Sequence, residues 1–366
     1  MITVCKNNTC NGCMACVDKC PKKCISISDN IFYFNAVKDM NDCINCGICE
    51  SVCPNNTIIN KYMPREWKQG WGAPKIRQYS SSGGAASSII QSFIQSGGYV
   101  ASCLFKNGQF VFDLTNDMDI AKQFAGSKYI KSNPGGIYKK ISERLKTNKV
   151  LFIGLPCQVA AAKNFVNNNE NLYTVDLICH GTPSPKLLAK YLDEKRINQE
   201  NCSDIKFRSN SSMGLVIDNR RLVTEGLDDY ILTFLDGISY TENCYNCQFA
   251  SFDRVADVTL GDSWGTEYKD EEEKGVSLIL IQTEKGKEIV YNSELELKDV
   301  DIEKAKKVNH QLMHPSIRKP EREKFLSLID SGKSFSFSTF ILYKNRIVKR
   351  NIKNAIYSIL HHTWIH

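Results

Sequence analysis

Two stretches near the start of the chain, CNGCMACVDKCP at residues 10–21 and CINCGICESVCP at residues 43–54, have the same cysteine spacing. Each reads C-x2-C-x2-C-x3-C-P, so three cysteines lie close together and a fourth follows a longer gap, with proline directly after it. Ten of the 16 cysteines lie in the first 53 residues. One C-x2-C pair is a weak signal, but two complete copies predict that this segment binds metal through thiolates.

The repeated spacing is that of bacterial ferredoxins with two 4Fe-4S clusters, in which the fourth cysteine of each run binds the other cluster. We therefore expect the first cluster to be held by Cys10, Cys13, Cys16 and Cys53. We expect the second cluster to be held by Cys43, Cys46, Cys49 and Cys20. A disulfide framework and a pair of zinc sites are the alternatives.

The residues before Cys10 are few and polar, so they do not predict a signal peptide. We therefore expect a cytoplasmic location, where thiols stay reduced and serve metals or catalysis. No run of 18 apolar residues occurs in the sequence, so no segment is predicted to span a membrane.

The 366 residues are 42% hydrophobic and 24% charged, which is typical of a globular protein with two or three domains. The formal net charge is +7. An oxidised 4Fe-4S cube with four thiolates carries about −2, so three such cubes would make the loaded protein nearly neutral. No aromatic-basic motif occurs either, so we expect no nucleic-acid partner.

The chain divides into four segments by pattern: a two-cluster unit at 1–60, a linker at 61–78, a larger domain at 79–330 and a basic C-terminal helix at 331–366. The two-cluster unit predicts short strands at 25–27 and 58–59. In the larger domain, predicted helices at 85–95 and 137–145 alternate with predicted strands at 99–105, 109–114, 149–153, 172–178 and 275–283. This alternation predicts an α/β sheet with functional residues at the carboxyl ends of its strands.

Residues 331–366 have no acidic side chain, and their lysines and arginines alternate with isoleucine and valine. This pattern is typical of a basic amphipathic helix, which would make peripheral contact with a membrane or a partner. A terminal helix that packs on its own domain is the alternative.

A second group of cysteines follows the predicted strands of the larger domain: Cys157, Cys179, and the C-x2-C pair Cys244 and Cys247. Two of them follow consecutive strands, so they would face one crevice, and the pair would complete a four-thiolate site for a third cluster. Buried apolar thiols, or half of a zinc site, are the alternatives. The remaining cysteines have no partner pattern and are predicted to be structural: Cys5, Cys24, Cys103 and Cys202.

4Fe-4S clusters transfer one electron at a time, whereas most organic substrates accept two. We therefore expect a flavin, which exchanges electrons singly or in pairs. No Gly-x-Gly-x-x-Gly or Walker loop occurs. Residues 81–84, Ser-Ser-Gly-Gly, precede a predicted helix and would offer amides to a phosphate, although a simple helix cap is the alternative. Lys128 would bind a phosphate or a flavin oxygen, or would be a solvated surface lysine.

Six motifs occur in one order: Ser82-Gly83-Gly84, Ser127-Lys128-Tyr129, Gly154-Leu155-Pro156-Cys157-Gln158, Cys179-His180-Gly181-Thr182-Pro183-Ser184-Pro185, Cys244-Tyr245-Asn246-Cys247 and Gly261-Asp262-Ser263-Trp264-Gly265. Together they resemble the beta subunit of coenzyme F420 hydrogenase/dehydrogenase and its bacterial relatives, with a two-cluster ferredoxin domain in front. The resemblance covers residues 1 to about 330.

The resemblance implies an α+β ferredoxin-like two-cluster domain fused to an α/β flavin-binding domain that carries FAD and a further 4Fe-4S cluster. It implies flavin contacts at Ser82, Gly83, Gly84, Ser127, Lys128 and Tyr129. His180, Lys128 and Asp262 are the candidate catalytic residues, with a structural histidine and a turn-capping aspartate as the alternatives for His180 and Asp262.

The sequence therefore predicts an iron–sulfur flavoprotein oxidoreductase with hydride transfer to or from an organic substrate or coenzyme. The redox partner is left open among ferredoxin, NAD(P)H and coenzyme F420. The first alternative is a non-catalytic electron-transfer module for a partner dehydrogenase. The second is a protein of surface-polysaccharide assembly with vestigial clusters.

Overall fold

The computed structural model describes residues 2–209, 212–224 and 226–362. The strands in this part of the chain are β1 (Ile2–Thr3), β2 (Ile25–Asp29), β3 (Phe34–Lys38), β4 (Glu66–Gly72), β5 (Tyr99–Lys106), β6 (Gln109–Thr115), β7 (Val150–Gly154), β8 (Leu172–Leu177), β9 (Ile205–Ser209), β10 (Ser212–Ile217), β11 (Arg220–Arg221), β12 (Val258–Asp262), β13 (Ser277–Ile281) and β14 (Leu295–Asp299).

The helices are α1 (Ala15–Lys19), α2 (Ile48–Ser51), α3 (Pro74–Arg77), α4 (Ala85–Gln95), α5 (Met118–Ala121), α6 (Ile137–Arg144), α7 (Pro156–Phe165), α8 (Pro185–Glu194), α9 (Asp229–Leu235), α10 (Lys269–Glu272), α11 (Glu284–Tyr291), α12 (Ile302–Val308), α13 (Pro320–Asp330) and α14 (Phe335–His362). Helix α14 is kinked at Tyr343, whose φ and ψ are not helical. Short 3-10 turns lie at Lys122–Phe124, Gln199–Asn201, Glu242–Asn246 and His310–Leu312.

The N-terminal unit is a three-stranded antiparallel sheet in the order β1-β3-β2, with α1 and α2 beside it. The strand expected at 25–27 is part of β2. The strand expected at 58–59 is wrong: this segment is irregular, and the Ile58 side chain is 97% exposed. The place beside β3 that is opposite β2 is taken by β1, at the start of the chain, so the three-stranded sheet forms without this segment.

The larger unit is built on a mixed eight-stranded sheet in the order β14-β4-β13-β12-β8-β7-β5-β6. Its central strands β5, β7, β8 and β12 are parallel, and the strands on both sides of them are antiparallel. The predicted hairpin is the antiparallel pair β5–β6, whose turn has Asn107 and Gly108 at positive φ, as a two-residue hairpin turn requires. The carboxyl ends of β7, β8 and β12 therefore lie at one edge.

The segment 61–78 differs from the linker expected for it. Its residues 66–72 form β4, which pairs with β13 on one side and β14 on the other, and α3 follows. The prolines, glycines and charges of this stretch suggested a linker, although its two tryptophans indicated packing. Gly70 lies so close to the backbone of β14 that an added Cβ would stand 2.3 Å from the Glu296 carbonyl oxygen. Only glycine fits at this position of the sheet. Residues 66–72 are a strand because they pair with two distant strands, and not because of their local sequence.

Helices cover both faces of the sheet. Helices α4 and α11 pack on the face formed by side chains such as Val100, Leu151 and Val175. On the opposite face, Ala101 and Phe152 share one hydrophobic core with α6, α7 and the N-terminal cysteine unit. The two units are therefore packed on each other through α6 and α7 rather than joined only by the chain.

A further lobe contains the sheet β11-β10-β9 together with α8, α9, α13 and the first part of α14. Phe335, on α14, is buried in this lobe, and Arg350 bonds the Leu227 carbonyl and the Asp229 carboxylate. No helix in residues 2–209, 212–224 and 226–362 is long and apolar enough to cross a membrane.

Candidate iron–sulfur centres

Four cysteines of the N-terminal unit surround one cavity, which we call the first site. Cys10 and Cys13 approach it from the loop before α1, Cys16 from α1 itself, and Cys53 from the turn after α2. All four side chains are buried. The set combines three cysteines of the first run with the last cysteine of the second, as in the crossed assignment expected from the spacing.

The second site is a cavity lined by Cys20, Cys43, Cys46 and Cys49. Cys20 and Cys49 are buried, Cys43 is half-buried and Cys46 is exposed. A cluster at this position would lie near solvent, where an external redox partner can approach it.

The backbone of both cysteine runs turns tightly at glycine. Gly12, between Cys10 and Cys13, has φ of +66°, and Gly47, between Cys46 and Cys49, has φ of +72°. Glycine adopts positive φ without the steric penalty of a Cβ atom. The Gly12 amide also donates to the Cys10 Sγ at 3.4 Å. The turn thus orients this sulfur and also gives it a hydrogen bond.

Each site has a fifth thiol beside the four expected. Cys5 lines the first cavity, and Cys24 lines the second, with its Sγ 3.5 Å from the Sγ of Cys20. Sequence reasoning treated both as structural because neither fits the repeated spacing. Their closeness in sequence to the runs was the only available signal.

The third cysteine group, Cys157, Cys179, Cys244 and Cys247, converges beside the carboxyl edge of the sheet. Cys157 lies in the first turn of α7 directly after β7, Cys179 follows β8 by two residues, and Cys244 lies in the turn Glu242–Asn246. Burial raises the pKa of Cys179 to about 12, and the neighbouring thiols Cys244 and Cys247 contribute to this rise. Burial likewise raises the pKa of Cys157, and Cys247 and Cys179 add to this rise. The four sulfurs are thus close enough to interact.

The cysteine side chains at these sites are suited to bind 4Fe-4S clusters. All cysteines are free thiols, and in the described residues no three His, Cys, Asp or Glu side chains are arranged to hold a single metal ion. In a 4Fe-4S cube each thiolate binds a different iron, so the sulfurs stand further apart than around one zinc ion. Burial disfavours the free thiolate, and ligation to iron would offset that penalty.

The first site contacts the third cysteine group through the loop at Asn11. The Asn11 Oδ1 accepts a hydrogen bond from Asn243 at 3.2 Å, beside Cys244, and the hydroxyl of Tyr138 on α6 donates to the Cys13 carbonyl at 2.8 Å. These bonds hold the two groups in a fixed relation across the boundary between the units.

The segments predicted to contact a flavin lie side by side. The Ser127 amide donates to the Ser81 Oγ at 2.8 Å, which joins the loop before α4 to the loop at 126–129. An added Cβ at Gly83 would meet the Gly70 carbonyl oxygen at 2.5 Å and the Ser277 amide at 2.6 Å. Gly83 is therefore required by contact with β4 and β13. The first turn of α4 has no side-chain cap, so its amides remain for an anion.

Lys128 and Tyr129 point into the protein rather than into solvent. The Lys128 ammonium donates to the carbonyls of Phe124 and Ala125 at 2.6 and 2.7 Å, and burial lowers its pKa to about 8. The Tyr129 ring stacks on Phe234 with centroids 4.4 Å apart. Burial raises the pKa of Tyr129.

Asp262 and His180 both lie at the carboxyl edge of the sheet. Asp262 ends β12, and its carboxylate accepts a hydrogen bond from Arg208 at 2.7 Å. His180 follows Cys179, and its Nδ1 lies 2.9 Å from the Nε2 of Gln311. Burial lowers the pKa of His180 to about 4, so the imidazole is neutral at pH 7.

Arg208 and Gln311 are site residues that sequence reasoning missed. Arg208 reaches Asp262 from β9, which belongs to the further lobe, and its guanidinium also lies 5.2 Å from the ring centre of Trp264. Gln311 also contacts the His310 ring, 2.6 Å from its Nε2. Neither residue lies in a recognisable motif, so no sequence signal could have found them.

A cavity of about 810 Å³ opens beside β4 and α3. None of the predicted flavin contacts lines it, and its wall has two basic side chains, Arg77 and Lys274, against four acidic ones, Glu271, Glu273, Glu294 and Glu296. This concentration of carboxylates does not suit the anionic pyrophosphate of a dinucleotide.

These observations define a class: a two-cluster ferredoxin-type unit packed on a mixed α/β unit that carries a further group of four cysteines at its sheet edge. Residues 9–57 match the family model described as 4Fe-4S dicluster domain. Residues 147–306 match the family model for the C terminus of the coenzyme F420 hydrogenase/dehydrogenase beta subunit. The chain is thus an iron–sulfur protein similar to electron-transfer subunits of oxidoreductases.

Two curated relatives correspond to the two units. A ferredoxin named Ferredoxin 7Fe, from Hydrogenibacillus schlegelii, is 40% identical over 55 residues, which is 15% of this chain and 65% of the relative. The beta subunit of an F420-dependent formate dehydrogenase from Methanocaldococcus jannaschii is 24% identical over 234 residues, which is 60% of this chain and 56% of the relative. The chain thus spans under two thirds of the length of each.

Among solved structures, the fold is similar to a chain of the F420-reducing NiFe hydrogenase complex from Methanosarcina barkeri. The TM-score is 0.50 and the sequence identity 18%, over 75% of this chain and 96% of that one. At this identity the likeness concerns the fold alone.

Proposed function

We propose that this chain is an iron–sulfur flavoprotein oxidoreductase, with hydride transfer to or from an organic substrate or coenzyme. When bound, 4Fe-4S clusters supply one-electron transfer and FAD converts between one-electron and two-electron chemistry. The observation that carries the proposal is the arrangement of three cysteine groups: the second site includes the exposed Cys46, and the Asn11 loop of the first site bonds Asn243 beside the third group.

The helix α1 supports this series because it holds Cys16 of the first site and ends at Cys20 of the second. The ferredoxin-type unit therefore presents one site to solvent and turns the other towards the sheet. Electrons would enter or leave at the exposed side, where a ferredoxin, NAD(P)H-linked enzyme or F420-linked enzyme is the proposed partner.

His180 and Asp262 are the proposed catalytic residues next to the third cysteine group. Gln311 orients the neutral His180 imidazole, and Arg208 holds the Asp262 carboxylate. Lys128 would have to release the carbonyls of Phe124 and Ala125 before it could contact a ligand. His180 and Asp262 therefore carry this part of the proposal.

A flavin phosphate would be held by the uncapped first turn of α4, after Ser82, Gly83 and Gly84. Ser127, Lys128 and Tyr129 would form the adjoining wall. The hydroxyl of Ser82 already donates to the Val276 carbonyl at 3.1 Å, so main-chain amides are the groups available to the phosphate.

Anaerobic purification followed by iron and flavin assays tests the proposal. Three cubes require about twelve irons per chain, with one flavin released on heating, and a count near eight contradicts the third cluster. Cys157→Ser should lose about four irons while the ferredoxin signals remain. Cys202→Ser is the matched control, because Cys202 lies outside all three cysteine groups and its thiol donates to the Asn198 carbonyl, a bond that a serine hydroxyl can also make.

A non-catalytic electron-transfer module for a partner dehydrogenase is the second candidate. It is favoured by the internal hydrogen bonds that engage Ser82 and Lys128, and by the position of the 810 Å³ cavity away from them. Full iron content without flavin would support the module and contradict the flavoprotein.

Peripheral membrane contact through α14 is a further part of the proposal. Beyond its kink, Val348, Ile352 and Ile356 are exposed on the side opposite to Ile347, which is buried. Lysines at 344, 349 and 353 flank this apolar stripe, so anionic lipid is the surface that it complements.

A further inference from the structure

Lys131 is a buried lysine that lies outside the six sequence motifs and has no part in the proposed function. Its side chain is 5% exposed, and its own amide donates to the Pro183 carbonyl at 2.9 Å. The ammonium group donates to the Asn11 carbonyl at 3.1 Å and lies 5.1 Å from the centre of the Phe34 ring. Lys131 thus reaches from the larger unit into the first site.

The positive charge of Lys131 has no carboxylate partner among the described residues. One carbonyl and one aromatic face offset only part of the penalty for removing an ammonium group from water. A buried charge of this kind is retained where an opposite charge lies nearby. The surroundings of Lys131 should therefore contain negative charge that protein side chains do not supply.

Lys131 lies beside two cysteine groups. The Asn11 carbonyl that binds its ammonium belongs to the loop between Cys10 and Cys13 of the first site. The Asn11 side chain accepts a hydrogen bond from Asn243, next to Cys244 of the third group, at 3.2 Å. The ammonium therefore lies where the two groups meet.

The stem of Lys131 is held in place by Gly12. An added Cβ at Gly12 would stand 2.8 Å from the Lys131 Cδ, so glycine between Cys10 and Cys13 leaves room for the lysine chain. The next residue, Ser132, accepts a hydrogen bond from Gln158, beside Cys157. Contacts on both sides thus fix the ammonium between the two cysteine groups.

We infer that Lys131 is a shared counter-cation for two clusters, one on Cys10, Cys13, Cys16 and Cys53 and the other on the third cysteine group. The inference rests on the proposed function for the third cluster. Each cube gains one negative charge when it accepts one electron, so a fixed cation between them raises the reduction potential of both. An electron that moves from one cube to the other therefore remains close to the Lys131 ammonium.

The test is an anaerobic redox titration followed by electron paramagnetic resonance, with iron counted in every sample. Lys131→Met removes the charge and keeps the stem, Lys131→Gln also keeps a donor for the Asn11 carbonyl, and Lys131→Arg keeps the charge. The first two variants should shift the midpoint potentials of the first-site and third-group clusters to more negative values. The second-site potential should not move, and Lys131→Arg should shift least.

Lys163→Met is the matched control. Lys163 also donates to a carbonyl, that of Val255 at 2.6 Å, and lies over an aromatic ring, that of Tyr62 at 5.1 Å, but no cysteine is among its partners. Its loss should leave all three potentials unchanged. The same titration of a Cys157→Ser protein, which lacks the third cluster, identifies the paramagnetic resonance signal that belongs to the third group.

Unchanged potentials in a fully loaded Lys131→Gln protein overturn the inference, even if Lys131→Met fails to fold. An equal shift of all three clusters also overturns it, because that would be a general change of the fold. Eight irons in the wild-type protein would refute the proposed third cluster, and the sharing of the cation with it. Twelve irons with unmoved potentials would refute only the role of Lys131.

Discussion

Arg254 joins the loop of Cys247 to the strand end that leads to Cys179, and replacing it tests how this part of the site is held. Its guanidinium donates to the Asp176 carboxylate at 2.9 Å and to the carbonyls of Phe249 at 2.9 Å and Leu177 at 3.2 Å. Arg254 is 2% exposed and Asp176 is fully buried. Arg254→Met keeps most of the volume but removes the charge and all of these donors.

The expected loss of stability follows from the burial of both charges. Removal of one partner from a buried ion pair costs about 3–5 kcal/mol, because the other charge is left without compensation. Asp176 Oδ2 already has no hydrogen-bond partner, and the bonds that the structure gives to Oδ1 come from Arg254, so the variant would leave a buried carboxylate without them. With an unfolding entropy of about 2.1 cal/mol/K per residue, such a loss lowers the melting temperature of a 366-residue chain by roughly 4–7 °C.

The assay is anaerobic thermal unfolding with iron counted before each scan. Arg65→Met is the control, because the Arg65–Glu284 pair has side chains that are 66% and 80% exposed, and exposed pairs contribute little. The double variant Arg254→Met, Asp176→Leu should recover part of the lost stability, because it also removes the buried carboxylate that the single variant leaves unpaired. The reasoning is refuted if Arg254→Met melts within about 1 °C of the wild type, a change of under 1 kcal/mol.

Gly83→Ala should destabilise the protein by about 1–3 kcal/mol, since its Cβ would overlap the Gly70 carbonyl, and urea denaturation measures this. Burial lowers the pKa of Lys128 from 10.5 to about 8, so the unfolded chain holds more protons than the folded chain between these values. Stability should therefore rise with pH across that window, and Lys128→Met should abolish the rise in denaturation curves taken at several pH values. Wild-type protein should co-sediment with anionic vesicles, less so in high salt and not with neutral ones, while a Val348→Asp, Ile352→Asp variant should stay in the supernatant.

Local pattern predicted the elements that carry the cysteines. Helix α4 begins and ends where the pattern indicated, and the hairpin at Asn107 was signalled by turn chemistry. In contrast, β4 and β14 were not predicted as strands: β4 has no regular hydrophobic alternation, and the alternation of β14 extends over only four residues. They were missed because their pairing with partners more than 200 residues away stabilises them, and this information is not local.

The amino-acid sequence by itself indicated the iron–sulfur chemistry of the N-terminal unit, because the spacing of its eight motif cysteines is a local property of the chain. Only the tertiary structure decided which thiols share a site, that Arg208 reaches Asp262 from another lobe, and that Lys131 lies between two cysteine groups. The physical reason is that burial of a charge, and the proximity of side chains far apart in the chain, arise from long-range packing.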